Sequence, residues 1–196
     1  MKHWSLLGAP LDGHGAPALP GANEELAALA ELHPDAQWFS GAAFDRAHTM
    51  QAVEQTHSIH IATHLLPTCE CQDPAFAPSS LLLSDGARLC VHDIAKLTPH
   101  APLVVLSACA TGEGTRVDAE GLQGMARAFL DSGTRNLLVT TWPVEDGAAA
   151  DFAVAFHRAL ALGLSPSRAT DSARRELKAG GFGPADWAAF RLLGRD

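Results

Sequence analysis

The sequence predicts an α/β domain built on a mainly parallel sheet with helices covering both faces. Three observations carry this expectation. Strand-length apolar runs alternate with helical patterns along the chain. Two of those runs, "APLVVLSA" and "TRNLLVTTW", have unbroken apolar centres, as strands buried on both faces do. The 196 residues, 47% of them hydrophobic, give one such domain a sizeable core and leave two cramped. A single domain over residues 1–196 is therefore expected.

Taken in order, "HWSLLGAP" reads as a first strand ended by Gly and Pro. "PGANEELAALAELHP" follows as a helix, with Asn23 as its cap and Glu24 and Glu25 as a solvated first turn. "AQWFSG" predicts a second strand and "DRAHTMQAVEQ" a second helix. "HSIHIAT" predicts a third strand ending at Thr63 or His64. The next stretch, "LLPTCECQDPAFAPSS", carries three prolines and no periodicity, so it reads as a long loop. In "LLLSDGARLCV" an Asp-Gly turn signal separates two apolar runs and predicts a hairpin. "HDIAKL" then reads as a short helix.

"APLVVLSA" reads as a central strand, and Cys109 follows its end directly. "DAEGLQGMARAFLDSG" predicts a helix whose Leu122, Met125, Ala126 and Phe129 form the core stripe. "TRNLLVTTW" gives another buried strand and "EDGAAADFAVAFHRALALG" a long helix. The next helix begins with Ser165 as N-cap and Pro166 at its first position. "DWAAFRLLG" closes the chain as a last strand.

Charge and composition exclude several classes of partner. Fourteen Lys and Arg stand against 22 Asp and Glu, a net −8, without a basic cluster, which argues against nucleic acid. No apolar run approaches the roughly 20 residues of a membrane helix. The opening "MKHWSLLGAPLDGHG" lacks a signal-peptide core, so a cytoplasmic protein without a membrane partner is expected. Four cysteines, at 69, 71, 90 and 109, are too few and irregular for a disulfide scaffold; reduced thiols are expected.

Sites in parallel sheets form outside the carboxyl ends of the strands, because those ends share one rim. Two expected strands end at His64 and Cys109. On neighbouring strands, about 4.8 Å apart, their side chains would share a crevice. A free thiol, with a pKa of about 8.5, needs a histidine or a helix N-terminus to become a thiolate nucleophile. The backbone amides of Cys109 and of Leu65, just after His64, are the candidate donors to an oxyanion.

Other readings compete. Cys109 alone reads as a buried thiol. His60 reads as a packing histidine within its strand, and His57 sits at the strand's start. His60, His64, Cys69 and Cys71 could be gathered as zinc ligands. Histidines four apart on a strand, however, stand about 13 Å from each other, and "CEC" lacks zinc-knuckle spacing, so no metal is expected there. Cys69 and Cys71 read as loop thiols and Cys90 as a core residue of the hairpin. "TGEG" lacks the Lys-Ser/Thr ending of a phosphate-binding loop.

The order of histidine and cysteine resembles the caspase-like cysteine peptidases, whose cysteine follows an alanine, with a glycine nearby and a histidine upstream. A closer resemblance is to the CHAT domain, a caspase-like family related to separases and often joined to tetratricopeptide repeats. The segments that carry it are "LPGANEELAAL", "IHIATH", "LLLSDG", "LVVLSACATGEG", "EGLQGMARAFLDSGTRNLLVTTWPVEDGAAADFAVAFHRAL" and "DWAAFRLLG", in family order. They span roughly residues 5 to 194, and the segment around Cys109 is the most specific. The resemblance implies a caspase-like αβα three-layer sandwich, and a peptide-bond hydrolase with His64 as general base and Cys109 as nucleophile. No cofactor is implied.

Two residues depart from the family pattern: Leu65 replaces the usual glycine after the histidine, and Ala119 the glycine more common before Glu120. The resemblance to separases further implies cleavage after a basic residue, for which Asp146 is the first candidate carboxylate and Glu120 and Asp118 the next. The implied partners are a protein or peptide substrate and a regulatory or repeat-containing protein. The alternative is a peptide-binding or interaction module of the same fold that no longer cleaves.

Overall fold

The structure is a computed structural model that describes residues 3–8, 19–54, 58–69, 79–97, 101–109 and 119–194. Its centre is a sheet in the order β2-β1-β3-β6-β7-β8, formed by β1 (Trp4–Gly8), β2 (Gln37–Ser40), β3 (Ser58–Leu66), β6 (Val104–Cys109), β7 (Asn136–Thr140) and β8 (Phe190–Gly194). All pairings along this path are parallel except β7 with β8. The hairpin β4 (Ser80–Leu82) and β5 (Arg88–Cys90) attaches antiparallel to the end of β3.

Strand alternation divides the core into two layers. Leu6, Ala62, Val105 and Leu138 face α1 (Pro20–Leu32), α5 (Asp146–Ala161) and α6 (Pro166–Ala179). Leu7, Ile61, Leu106 and Val139 face α2 (Arg46–Glu54), α3 (Val91–Ala95) and α4 (Ala119–Asp131). The short helix α7 (Pro184–Trp187) leads into β8. This is the expected three-layer αβα sandwich, and it brings the carboxyl ends of β1, β3, β6 and β7 to one rim.

The apolar runs form β6 and β7, and the Asp-Gly signal forms the β4–β5 hairpin, where Gly86 adopts φ +81°. Ser165 caps α6 by accepting from the Arg168 amide at 3.4 Å, with Pro166 following it. Gly8 is required by close approach as well as by its φ of +148°: a Cβ there would lie 2.1 Å from the Ala62 carbonyl oxygen. Its lack of a side chain lets β1 end tight against β3.

Three local expectations are corrected. α1 starts at Pro20 rather than after Asn23; Leu19 is its cap residue and makes no side-chain cap bond. Glu24 is exposed, but Glu25 is buried, because it shares the inward stripe of Ala22, Leu26 and Leu29. β3 runs past His64 to Leu66, since Leu65 and Leu66 pair with Leu81 and Ser80 of β4.

Candidate active site

β3 and β6 are adjacent and parallel, and their register runs from Ile59 opposite Val104 to His64 opposite Cys109. The two residues singled out in the sequence are thus direct Cα partners at the last paired position of these strands. His64 is buried.

Polar contacts tie the surrounding backbone. Thr63 Oγ1 donates to the Leu82 carbonyl at 2.6 Å and Ser80 Oγ to the Thr68 carbonyl at 2.7 Å, so the hairpin clamps the chain on both sides of His64. Arg88 also donates to the Thr68 carbonyl, at 3.0 Å. Ser79 Oγ donates to the Gly121 carbonyl in α4 at 2.8 Å. On the other flank, Thr140 Oγ1 of β7 donates to the Ala108 carbonyl at 3.4 Å, one residue before Cys109.

Leu65 lies in extended strand, with its side chain buried beside Leu81 in the layer opposite His60. A leucine fits here because the strand continues through this position, and no left-handed backbone is called for. Glu120 and Asp146 occupy the first turns of α4 and α5, the helices that follow β6 and β7. Helices in this connection start at the carboxyl rim of the sheet. Asp118, His57, Cys71 and the "TGEG" segment lie outside the described residues.

One further cluster eluded sequence reasoning. Ser107 Oγ, two positions before Cys109, donates to Glu25 Oε2 at 3.1 Å. Glu25 Oε1 is 2.8 Å from His60 Nε2. His60 Nδ1 lies 3.2 Å from His157 Nε2, and His157 Nδ1 lies 2.9 Å from His33 Nε2. Trp4 flanks the far end, its ring centroid 4.3 Å from that of His157. The chain of polar groups crosses the α1 and α5 layer to a cavity of about 450 Å³ at the amino rim, lined by Trp4, Leu32, His33, Leu160 and Leu164.

Burial pulls His157 well below the usual histidine range, and charge on His60 and then His33 adds to the effect. His33 is lowered by burial first and by charge on His60 second. His60 is therefore buried as expected, yet it is a hydrogen-bonded link rather than a packing ring alone. The available signal was His157 inside the apolar stripe of its helix, between Phe156 and Leu160.

Of the His60, His64, Cys69 and Cys71 grouping, His60 lies against Glu25 and His157, and Cys71 lies outside the described residues. Cys69 instead forms a disulfide with Cys90, which corrects the expectation of reduced thiols for this pair. Their separation of 21 residues becomes contact only when the hairpin folds back on the end of β3. Among the described residues, no helix is long and apolar enough to cross a membrane.

The family model of the CHAT domain matches residues 7–195. Tetratricopeptide repeat protein 28 of Mus musculus is 30% identical over 91% of this chain, and the match covers 9% of that protein. The Homo sapiens protein of the same name is 29% identical over 91% of this chain and 8% of its own length. The chain thus spans about a tenth of these relatives. Among solved structures, the separase of the Saccharomyces cerevisiae separase–securin complex aligns with a TM-score of 0.62 at 14% identity, over 98% of this chain and 12% of that one. Gingipain R, an Arg-specific cysteine proteinase, aligns with a TM-score of 0.56 at 12% identity, over 98% of this chain and 45% of that one. At these identities the two alignments establish a shared caspase-like cysteine-peptidase fold.

Proposed function

The chain belongs to the CHAT domain family, and on that premise we propose that it is a cysteine endopeptidase acting on a protein or peptide substrate through His64 and Cys109. The observation that carries this reading is the strand register that pairs those two residues at the carboxyl rim. His64 takes the proton of the Cys109 thiol, and the resulting thiolate attacks the scissile carbonyl carbon. The carbonyl oxygen becomes an oxyanion, which accepts hydrogen bonds from the backbone amides of Leu65 and Cys109. As the tetrahedral intermediate collapses, the C–N bond breaks and His64 returns its proton to the departing amine, leaving a thioester on Cys109. Water, deprotonated by His64, then hydrolyses the thioester and restores the thiol.

Asp146, Glu120 and Asp118 supply the carboxylate for a basic side chain before the cut, with Asp146 first. The Arg specificity of gingipain R supports this preference for a basic residue. The tetratricopeptide-repeat relatives, of which this chain matches only a small part, support a regulatory or repeat-containing partner. The reaction uses only protein groups and water.

One observation favours a second reading, a peptide-binding module that no longer cleaves. Leu65 stands where the family has glycine, and its backbone is committed to pairing with Leu81 of β4. A peptide-library cleavage profile of the wild-type chain beside Cys109→Ala decides between the two. Cleavage that disappears in Cys109→Ala supports the peptidase; binding of the same peptides by both proteins without cleavage supports the module.

A further inference from the structure

Cys69, at the end of the segment that follows β3, and Cys90, the last residue of β5, are joined to each other, and His92 stands beside them in α3. The two sulfurs and a His92 ring nitrogen all lie within 4.8 Å of one another. They line an open cleft of about 460 Å³ together with Arg46, Arg88 and Asp93. We infer that Cys69, Cys90 and His92 form a redox-gated site for a borderline-soft divalent cation of the Zn²⁺ class, closed while the disulfide stands and opened by its reduction.

Two thiolates and an imidazole are the donor set that Zn²⁺ favours, with metal–sulfur distances of about 2.3 Å and metal–nitrogen distances of about 2.0–2.1 Å. A cluster within 4.8 Å needs only side-chain rotation to meet those distances once the sulfurs part. Independent support comes from Asp93. Its Oδ1 lies 3.3 Å from His92 Nε2, which places a carboxylate beside the imidazole, as is common around metal-binding histidines. Asp93 is itself fixed, because its Oδ2 accepts from the Cys90 amide at 2.9 Å and its Oδ1 pairs with Arg46. The guanidinium groups of Arg46 and Arg88 repel a bare cation, but they also stabilise thiolates, and two thiolates neutralise the charge of the bound ion. Three protein ligands leave a fourth position for water.

The chemistry balances with an external dithiol as reductant. Its two S–H hydrogens pass to Cys69 and Cys90 as the protein disulfide breaks, and its own sulfurs join in a new disulfide. Binding of the ion then releases the two thiol protons to solvent. The metal replaces the covalent tie between the strand that carries His64 and the β4–β5 hairpin, so the hairpin stays in place in both redox states.

The test uses the full chain carrying Cys109→Ala, which removes the thiol of the proposed dyad and makes the result independent of peptidase activity. Protein reduced with a phosphine and titrated with Co²⁺ should bind one ion per chain, with a thiolate-to-cobalt charge-transfer band that Zn²⁺ displaces. The disulfide form should show no band, and Cys90→Ser should lose it. His92→Gln, which leaves both cysteines in place, should weaken binding about tenfold or more. A folded, reduced protein without the band, or equal affinity in the disulfide form or in His92→Gln, would overturn the assignment.

Discussion

Glu25 Oε1 and His60 Nε2 lie 2.8 Å apart, the carboxylate 2% exposed and the imidazole fully enclosed. A helix and a strand distant in sequence are joined by this contact, four residues before His64 along β3. Breaking a buried pair by removing one member leaves the other uncompensated, at a cost of about 3–5 kcal/mol. Glu25→Ala should therefore lower the urea unfolding free energy by about that amount, and a loss below about 1 kcal/mol would contradict the buried-pair reading.

The histidines give stability a predicted slope with pH. His157 has its folded-state pKa lowered below 6.5 by burial, as His33 does to a lesser degree. The unfolded chain therefore takes up protons first as pH falls. Stability is complete above the unfolded value of about 6.5 and declines at lower pH, toward the depressed folded values. His157→Leu should flatten that decline in thermal melts taken between neutral and mildly acidic buffer, and an unchanged slope would mean that other groups set it.

For the proposed dyad, a peptide fluoromethyl ketone should label the wild-type chain covalently, with one adduct by mass spectrometry. Labelling should vanish in Cys109→Ala and persist in Cys69→Ala. His64→Ala should slow it by about 10²–10⁴-fold, the worth of a positioned general base. Labelling that survives Cys109→Ala would place the reactive thiol elsewhere.

If Asp146 meets a basic side chain of the substrate, Asp146→Ala should cost about 1.5–3 kcal/mol in kcat/KM for an Arg-site peptide, the scale of a hydrogen bond to a charged group. A neutral-site peptide should be cleaved at an unchanged rate. Equal effects on both peptides would remove the assignment and turn attention to Glu120 and Asp118.

Much of this architecture was legible in the sequence because its cues are local. The unbroken apolar runs of β6 and β7, the Asp-Gly hairpin, and Ser165 with Pro166 each declare themselves within a few residues. The positions of His64 and Cys109 followed from strand ends, although β3 outlasts the histidine because β4, a distant segment, supplies its last partners. Glu25 was misjudged for the same reason. Its stripe with Ala22 and Leu29 is local, but the imidazole that makes its burial tolerable belongs to β3. The Cys69–Cys90 bond likewise depends on a chain reversal that no spacing rule expresses.

The polar seam from Ser107 to His33 binds the evolutionary freedom of four segments together. Its interior members lie against one another through hydrogen bonds and one close carboxylate–imidazole contact, so a lone replacement removes a polar neighbour where water cannot reach. In diverging relatives, positions 25, 60 and 157 should accordingly drift as a block, kept whole or exchanged jointly for hydrocarbon, while exposed Glu24 varies on its own.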